Sequence, residues 1–102
     1  MTIAVSIMYP AGDGIQFDED YFVTKHMALV NRVWGKHLLS SSLVRGISGG
    51  PDTPPAWTMI ATLNVRDMET LQAMLADGDE VNADVPNYTN ATPQVLIGEV
   101  VG

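Results

Sequence analysis

One histidine has the setting expected of a residue that performs acid–base chemistry. The chain of 102 residues holds two imidazoles, His26 and His37, and no cysteine, which excludes thiolate catalysis and cysteine-ligated metal sites. His26 lies among apolar residues of a predicted helix, and burial in an apolar pocket favours the neutral imidazole, which can accept a proton. Such a group suits the removal of an acidic C–H or O–H proton from a hydrophobic substrate, so His26 is the candidate general base.

A structural role for His26 is the competing interpretation. A buried polar group needs a partner, because leaving it unpaired costs about 1–3 kcal/mol. A backbone carbonyl or a serine such as Ser41 would satisfy the imidazole inside an ordinary core. On the residue types alone, this structural role carries slightly more weight than a catalytic one.

Five other side chains are candidates for contact with a substrate. Tyr21, Asp84 and Tyr88 could partner or orient His26, although residues of these types more often lie at the surface or anchor a loop. Trp34 and Trp57 could line a cavity for an aromatic ligand, although large aromatic residues usually form plain core.

Motifs for metals, nucleotides and serine nucleophiles are weak or missing. No second histidine follows either imidazole at helical spacing, and no G-x-G-x-x-G follows a predicted strand, so we predict neither a metal nor a cofactor. The letters of Gly46–Gly50, GISGG, match a nucleophile elbow. The prolines within Pro51–Pro55 prevent the helix that must follow such an elbow, so a serine nucleophile is not expected.

The candidate base belongs to the best-defined element of the sequence, a helix predicted over Phe17–Gly35. Asp18 is the predicted N-cap, and Phe17 and Phe22 have the spacing of a hydrophobic staple. Gly35 is expected to end the helix in the left-handed conformation. A step of about 100° per residue collects one apolar face. That face contains Leu29, Phe22, Val33, His26, Val30, Val23, Trp34 and Met27.

The remaining elements predict an α+β domain. Apolar alternation predicts strands over Thr2–Tyr9, Leu38–Ile47, Trp57–Val65 and Gln94–Val101. A second helix follows the cap residue Asp67, ends near Gly78 and has the apolar stripe Met68, Leu71, Met74 and Leu75. The connection over residues 79–94 is either a binding loop or partly helical. The order β-α-β-β-α-β predicts one ferredoxin-like domain over residues 1–102, a four-stranded antiparallel sheet with two helices on one face.

The composition favours a protein partner over a nucleic acid or a membrane. The net charge of −7 repels phosphate backbones and anionic lipid, so we expect no nucleic-acid or membrane binding. Charged residues make up only 17% of the chain, and both faces of the first strand are largely apolar. We therefore predict a homodimer that packs sheet to sheet. The N-terminus has no secretory pattern, which indicates a cytoplasmic protein.

Three segments resemble the EthD family: Tyr21–Gly35 (YFVTKHMALVNRVWG), Asp84–Thr89 (DVPNYT) and Gly98–Val100. The family is named for the bacterial degradation of ethyl tert-butyl ether, in which its member accompanies a cytochrome P450 system. The resemblance implies a dimeric α+β barrel, similar to small cofactor-independent monooxygenases and muconolactone-type isomerases, and a loose oxidoreductase label.

The same resemblance implies roles for individual residues. His26 matches the helix histidine of the family pattern, and Leu29 matches the leucine that follows. Ala28 stands where the pattern usually has proline, which implies the loss of a helix kink. Asp84 and Tyr88 fall in the family's loop motif, which implies that they cap the pocket or the dimer seam.

Two functional hypotheses follow. The first is a small catabolic enzyme of monooxygenase type, in which His26 is the base and Tyr21 or Tyr88 orients a hydrophobic substrate; an isomerase or dehydratase with the same base is its near neighbour. The second is a non-catalytic module that binds a hydrophobic metabolite or accompanies a partner oxygenase. A cavity onto which His26 opens favours chemistry, whereas a filled core with His26 bonded to backbone favours the module.

Overall fold

The computed structural model describes residues 1–102 and places helices on one face of a four-stranded antiparallel sheet. The strands are β1 (Ile3–Pro10), β2 (Leu38–Arg45), β3 (Trp57–Val65) and β4 (Gln94–Glu99). Helix α1 runs through Glu19–Tyr21, Phe22–His26 and Met27–Trp34, and it is followed by α2 (Met68–Ala76) and α3 (Asp79–Ala83). Single 3-10 turns span Gly35–His37 and Val85–Asn87.

The strand order in the sheet is β2-β3-β1-β4, with β1 antiparallel to both of its neighbours. This is the ferredoxin-like arrangement, so the predicted fold class is confirmed. β2 and β4 end at Arg45 and Glu99, slightly before the predicted ends at Ile47 and Val101. The connection after α2 is partly helical, which was one of the two predicted alternatives.

The core lies between the helices and one face of the sheet. Alternate residues of a strand point to the same face, so β1 and β3 each supply every second residue to this layer. From the sheet, the buried residues are Ile3, Val5, Tyr9, Met59, Ala61, Leu63 and Val65. From the helices, they include Phe22, Met27, Val30, Trp34, Leu71, Met74 and Val81.

Helix α1 begins as the sequence predicts. The Asp18 side chain accepts a hydrogen bond from the backbone N–H of Tyr21 at 3.0 Å, which confirms the N-cap. The rings of Phe17 and Phe22 lie 5.2 Å apart, which confirms the staple across the start of the helix.

The middle of α1 departs from the predicted regular helix. The backbone N–H of Met27 donates to the carbonyl of Phe22, five residues back, so Phe22–His26 forms a π-helical turn. The wider turn changes the angle between successive side chains. Val23 is 46% exposed and does not belong to the buried face, contrary to prediction. The helix is thus irregular directly before Ala28, although no proline stands there.

The end of α1 also differs from the prediction. Gly35 has φ −53° and ψ −36°, so the expected left-handed C-cap is wrong. The chain instead tightens into the 3-10 turn, in which the backbone N–H of Leu38 donates to the carbonyl of Gly35. Such a turn satisfies carbonyls at a helix end without a left-handed residue.

Helix α2 is capped as predicted but buries only part of its predicted stripe. The Asp67 side chain accepts from the backbone N–H of Thr70 at 2.8 Å. Leu71 and Met74 are buried, whereas Met68 and Leu75 are exposed, because this short helix presents a narrow face to the sheet.

The other face of the sheet carries no helix. The pairing register places the hydroxyl residues Ser42, Thr62 and Ser6 side by side across its middle, in one row with Leu96. Val44, Ile60 and Met8 form an apolar row nearer the β2–β3 connection. No helix in the structure combines the length and the apolar character that a membrane span needs.

Candidate acid–base site

The imidazole of His26 is held by a carboxylate from the other half of the chain. His26 lies in the π-helical turn of α1 and is 4% exposed. Its Nδ1 is 2.9 Å from Oδ2 of Asp84, which directly precedes the Val85–Asn87 turn. His26 is therefore a satisfied buried histidine, but its partner is an ionisable side chain and not the backbone carbonyl or serine considered above.

Asp84 accepts hydrogen bonds from three side chains. Besides His26, the Tyr21 hydroxyl donates to Oδ1 at 2.7 Å and the Asn87 amide donates to Oδ1 at 2.9 Å. Burial alone would raise the pKa of Asp84. The bonds from Asn87, His26 and Tyr21 outweigh that effect and leave its pKa below the usual value. Asp84 is thus a carboxylate at neutral pH and can only accept.

The ionised Asp84 determines which nitrogen of neutral His26 carries the proton. Because the carboxylate has no proton to give, His26 Nδ1 must donate to it, and Nε2 is left with a free lone pair. That nitrogen lies 3.4 Å from the Tyr88 hydroxyl. The Tyr88 hydroxyl is in turn 2.7 Å from the hydroxyl of Tyr9 on β1. A continuous polar chain therefore runs from Asp84 through His26 and Tyr88 to Tyr9.

The phenols of this chain resist ionisation. Burial raises the pKa of Tyr9, and it raises the pKa of Tyr88 far above its ordinary value. The hydrogen bond to the Asp84 carboxylate raises the pKa of Tyr21. All three phenols are therefore neutral at pH 7.

Aromatic packing encloses the chain. The ring of His26 stacks on Phe22 at 5.4 Å and lies 4.5 Å from the ring of Tyr88. Tyr9 makes edge contacts with Phe17, Phe22 and Tyr88 at 5.3–5.8 Å. Such contacts are each worth about 0.5–1.5 kcal/mol beyond area burial, so they hold the ring positions of the chain.

Three hydrogen bonds tether the segment that carries Tyr88. The Thr89 hydroxyl donates to the Gln16 carbonyl at 2.7 Å, and the Gln16 backbone N–H donates to Asn90 Oδ1 at 2.8 Å. The Asp18 backbone N–H donates to the Tyr88 carbonyl at 2.7 Å. The start of α1 and the Tyr88 segment are thereby fixed to one another.

The structure brings together four of the six predicted site residues. Tyr21, Asp84 and Tyr88 all lie within one hydrogen bond of His26 or of its carboxylate partner. Trp34 is buried in the core with its Nε1 unpartnered, and it takes no part in the polar chain.

Trp57 also lies outside the chain of polar contacts. It is half-buried at the start of β3, where it lines a surface hollow with Val44 and Ile60. The polar chain and the two side chains that donate to Asp84, Tyr21 and Asn87, form one hydrogen-bond network. Its members Tyr9 and Asn87 were not predicted. Tyr9 sits at an inward position of a strand, where a tyrosine is indistinguishable by pattern from ordinary core.

Tyr9 and Tyr88 line two separate surface cavities, whereas His26 lines none. None of the five surface cavities is lined by His26. A groove of about 460 Å³ beside β4 is lined by nine residues that include Tyr9, and we call it the β4 groove. Its lining also includes Ile7, Val85, Pro93 and Val95. Neither an open His26 nor a backbone-bonded one is found, so the site fits neither of the two predicted outcomes.

Solved structures with the same fold include two proteins of the EthD type. An EthD-like protein from Ralstonia eutropha is 30% identical, covers 99% of this chain and 93% of its own, and has a TM-score of 0.91. An ethyl tert-butyl ether degradation (EthD) family protein from Bacillus halodurans is 18% identical over 99% of this chain and 100% of its own, with a TM-score of 0.77.

A more distant structure shares the fold alone. SnoaB, a cofactor-independent oxygenase from Streptomyces nogalater, is 10% identical, covers 98% of this chain and 94% of its own, and has a TM-score of 0.59. No protein with a curated description matches the sequence.

The family model described as the EthD domain matches residues 16–92. The matched range contains His26, Asp84 and Tyr88, whereas Tyr9 lies before it. Because the match spans most of the sequence and agrees with the similarity to the EthD-like protein from Ralstonia eutropha, the chain belongs to the EthD family.

Proposed function

We propose that the protein is an acid–base enzyme of monooxygenase type that removes a proton from a hydrophobic small molecule. The observation that carries the proposal is the contact of 2.9 Å between His26 Nδ1 and the Asp84 carboxylate inside the fold. A carboxylate on one imidazole nitrogen fixes the tautomer and stabilises the imidazolium that forms when the other nitrogen takes a proton.

The Asp84–His26 pair goes beyond what core packing requires. A buried charge is costly, and a histidine that served only to fill the core could be satisfied by a neutral carbonyl. Asp84 is held as a carboxylate by three donors, although its side chain is only 12% exposed. Perturbed ionisable groups arranged in this way are a common feature of catalytic sites.

The reaction we propose begins with ionisation of the substrate. Loss of a proton leaves an electron-rich carbanion or phenolate that can pass electrons directly to molecular oxygen. Where a CH2 group becomes C=O, one oxygen atom enters the product, the other leaves as water, and oxygen takes up the four electrons that the carbon loses. The likeness in fold to a cofactor-independent oxygenase is compatible with this chemistry and does not extend to its substrate.

The assembly we propose is a homodimer formed by the helix-free face of the sheet. Val44, at 59% exposure, and Leu96, at 60% exposure, both lie on that face and would leave water on dimerisation. Burial of such side chains stabilises association by about 25 cal/mol for each Å² of apolar area.

Oxygen uptake tests the proposed function. The protein should be screened against hydrophobic phenols and enolisable ketones in an oxygen electrode, with product analysis by mass spectrometry. For the substrate found, His26→Ala should lower kcat by about 10²–10⁴-fold, the range for loss of a general base. His37→Ala is the matched control, because His37 belongs to no part of the network.

The outcomes of this screen separate the hypotheses. Conversion that depends on His26 without oxygen uptake identifies an isomerase or dehydratase that uses the same base. Full turnover in His26→Ala contradicts the proposal. If compounds bind to the protein and none of them is converted, the result favours the non-catalytic alternative, including an accessory role beside a partner oxygenase.

A further inference from the structure

We propose that Tyr9 is the group that meets the substrate, in the β4 groove, and that Tyr88 passes the proton on to His26. This inference rests on the proposed function, because it assigns the substrate contact to a different residue of the same site. The groove receives a molecule with an apolar body and one acidic hydroxyl group, a phenol or an enol.

The hydrogen bonds of the polar chain have a defined direction when His26 is neutral. Asp84 accepts from His26 Nδ1, so Nε2 of the neutral imidazole can only accept, and the Tyr88 hydroxyl must donate to it. A phenol has one proton, so Tyr88 can only accept from Tyr9. Tyr9 therefore donates inward, and the remaining lone pair of its oxygen is free to accept from a molecule outside the network.

The position of Tyr9 distinguishes it from the other members of the polar chain. Of the members of the polar chain, only Tyr9 lines the β4 groove. His26 lies behind Tyr88, within 4.5 Å of its ring, and lines none of the cavities. Tyr88, which is as deeply buried as Tyr9, lines a different hollow, beside Phe17 and Asn87. A substrate in the β4 groove can reach the base only through Tyr9.

The size and lining of the β4 groove indicate which class of molecule it can hold. Its volume of about 460 Å³ falls within the range of small-molecule sites. Ile7, Val85, Pro93 and Val95 make much of the wall apolar, and none of the nine lining residues is charged. A chain with a net charge of −7 and an uncharged groove offers nothing to a carboxylate or a phosphate. A neutral hydroxyl compound fits these walls.

The proton path balances without any added group. The substrate O–H bond breaks and its proton joins the Tyr9 oxygen, while the Tyr9 proton moves to the Tyr88 oxygen. The Tyr88 proton moves to Nε2 of His26, and the imidazolium is stabilised by the Asp84 carboxylate. Burial raises the pKa of both phenols, so neither retains a phenolate and each passes the charge along. The same path in reverse returns the proton to a product.

The test uses 4-nitrophenol as the hydroxyl probe and 4-nitroanisole, its methyl ether, as the probe without a proton. Binding is measured by calorimetry, and absorbance reports the ionised fraction of bound 4-nitrophenol. Tyr9→Phe keeps the aromatic packing and removes only the hydroxyl. We expect Tyr9→Phe to lower the preference for the phenol over the ether by about tenfold, because one buried hydrogen bond is lost.

Two further variants locate the probe. Val95→Lys places a charge in the groove and should weaken binding of both probes by at least about tenfold, since an unpaired charge beside an apolar ligand is unfavourable. Leu75→Lys is the matched control, because Leu75 is an exposed apolar residue on α2 that lines none of the cavities. It should bind both probes as the wild type does.

The relay has its own signature. Tyr88→Phe should preserve binding of 4-nitroanisole yet slow the ionisation of bound 4-nitrophenol in stopped-flow absorbance by about 10²-fold, because the path to His26 is broken. Unchanged phenol preference in Tyr9→Phe, or unchanged binding in Val95→Lys, would overturn the assignment of Tyr9 even if His26→Ala loses turnover. Tyr9-dependent binding with full turnover in His26→Ala would refute the proposed function and leave the binding site standing.

Discussion

At the scale of single residues, the site depends on one carboxylate that serves three donors. Asp84 fixes the tautomer of His26, holds the Tyr21 hydroxyl and accepts from Asn87. A change at this position therefore affects the proton acceptor and the packing of the segment before Tyr88 together.

Asp84→Asn is expected to impair both activity and stability. An amide N–H facing His26 Nδ1 favours the tautomer whose Nε2 carries the proton and cannot accept from Tyr88. We expect kcat to fall by about 10²–10⁴-fold. We expect the free energy of unfolding at pH 7 to fall by about 1.5–3 kcal/mol, as for hydrogen bonds to a charged group.

The pH dependence of that stability difference has a defined sign. The pKa of Asp84 is lower in the folded protein than in the unfolded chain, where it is about 3.9. Its contribution is therefore complete above the unfolded pKa and is lost as the pH falls through the folded pKa. Urea unfolding should show the gap between wild type and Asp84→Asn shrinking from pH 6 to pH 3. Asp13→Asn, at an exposed carboxylate outside the network, is the control.

The residue types of the site were predictable from the sequence, but the geometry of their contacts was not. Tyr21, Asp84 and Tyr88 were predicted as possible partners of His26, and nothing in the sequence indicated which of them holds the imidazole. His26 and Asp84 are 58 positions apart in the sequence, and no local pattern predicts that the fold brings them into contact. Tyr9 was missed because the alternation that buries it is the same alternation that buries its neighbours Ile3 and Val5.

At the scale of elements, the histidine is positioned by an irregularity in α1. The caps and the staple were predictable because they depend on residues adjacent in sequence. The π-helical turn at Phe22–His26 was not predictable, because no residue there is a helix breaker. The wider turn explains why Val23 is exposed.

The N-cap of α1 provides a prediction for this element. Asp18→Ala removes the acceptor for the Tyr21 backbone N–H, so we expect the free energy of unfolding to fall by about 1 kcal/mol in chemical denaturation. Asp13→Ala is the control, since Asp13 is exposed in the turn before α1 and caps no helix. Equal stability of the two variants would mean that the cap contributes nothing to the placement of α1.

At the scale of the whole molecule, the four-stranded sheet leaves one face for a partner. The ferredoxin-like fold was predictable from the order of strands and helices, because each element has a clear period and clear end signals. The second copy was inferred from the apolar character of β1 on both faces. The register now locates the proposed interface at Ser6, Thr62 and their neighbours.

A single charge tests that interface. Thr62→Lys places a cation in the middle of the helix-free face. We expect the Kd of the dimer to rise at least about tenfold, because an unpaired buried charge is strongly unfavourable. Sedimentation equilibrium at about 0.15 M salt, where distant surface charges are largely screened, provides the measurement. Gln72→Lys makes the same change of charge on the exposed side of α2 and should leave the dimer intact. A wild-type protein that is monomeric at micromolar concentration would contradict the assembly itself.

Uptake of the substrate proton by His26 is the step on which the proposed function depends. Anaerobic stopped-flow absorbance, with the substrate found by the oxygen screen, observes that step before oxygen can react. We expect rapid formation of the ionised substrate in the wild type and in His37→Ala, and a rate about 10²–10⁴-fold lower in His26→Ala. Ionisation at the wild-type rate in His26→Ala would contradict the proposed function.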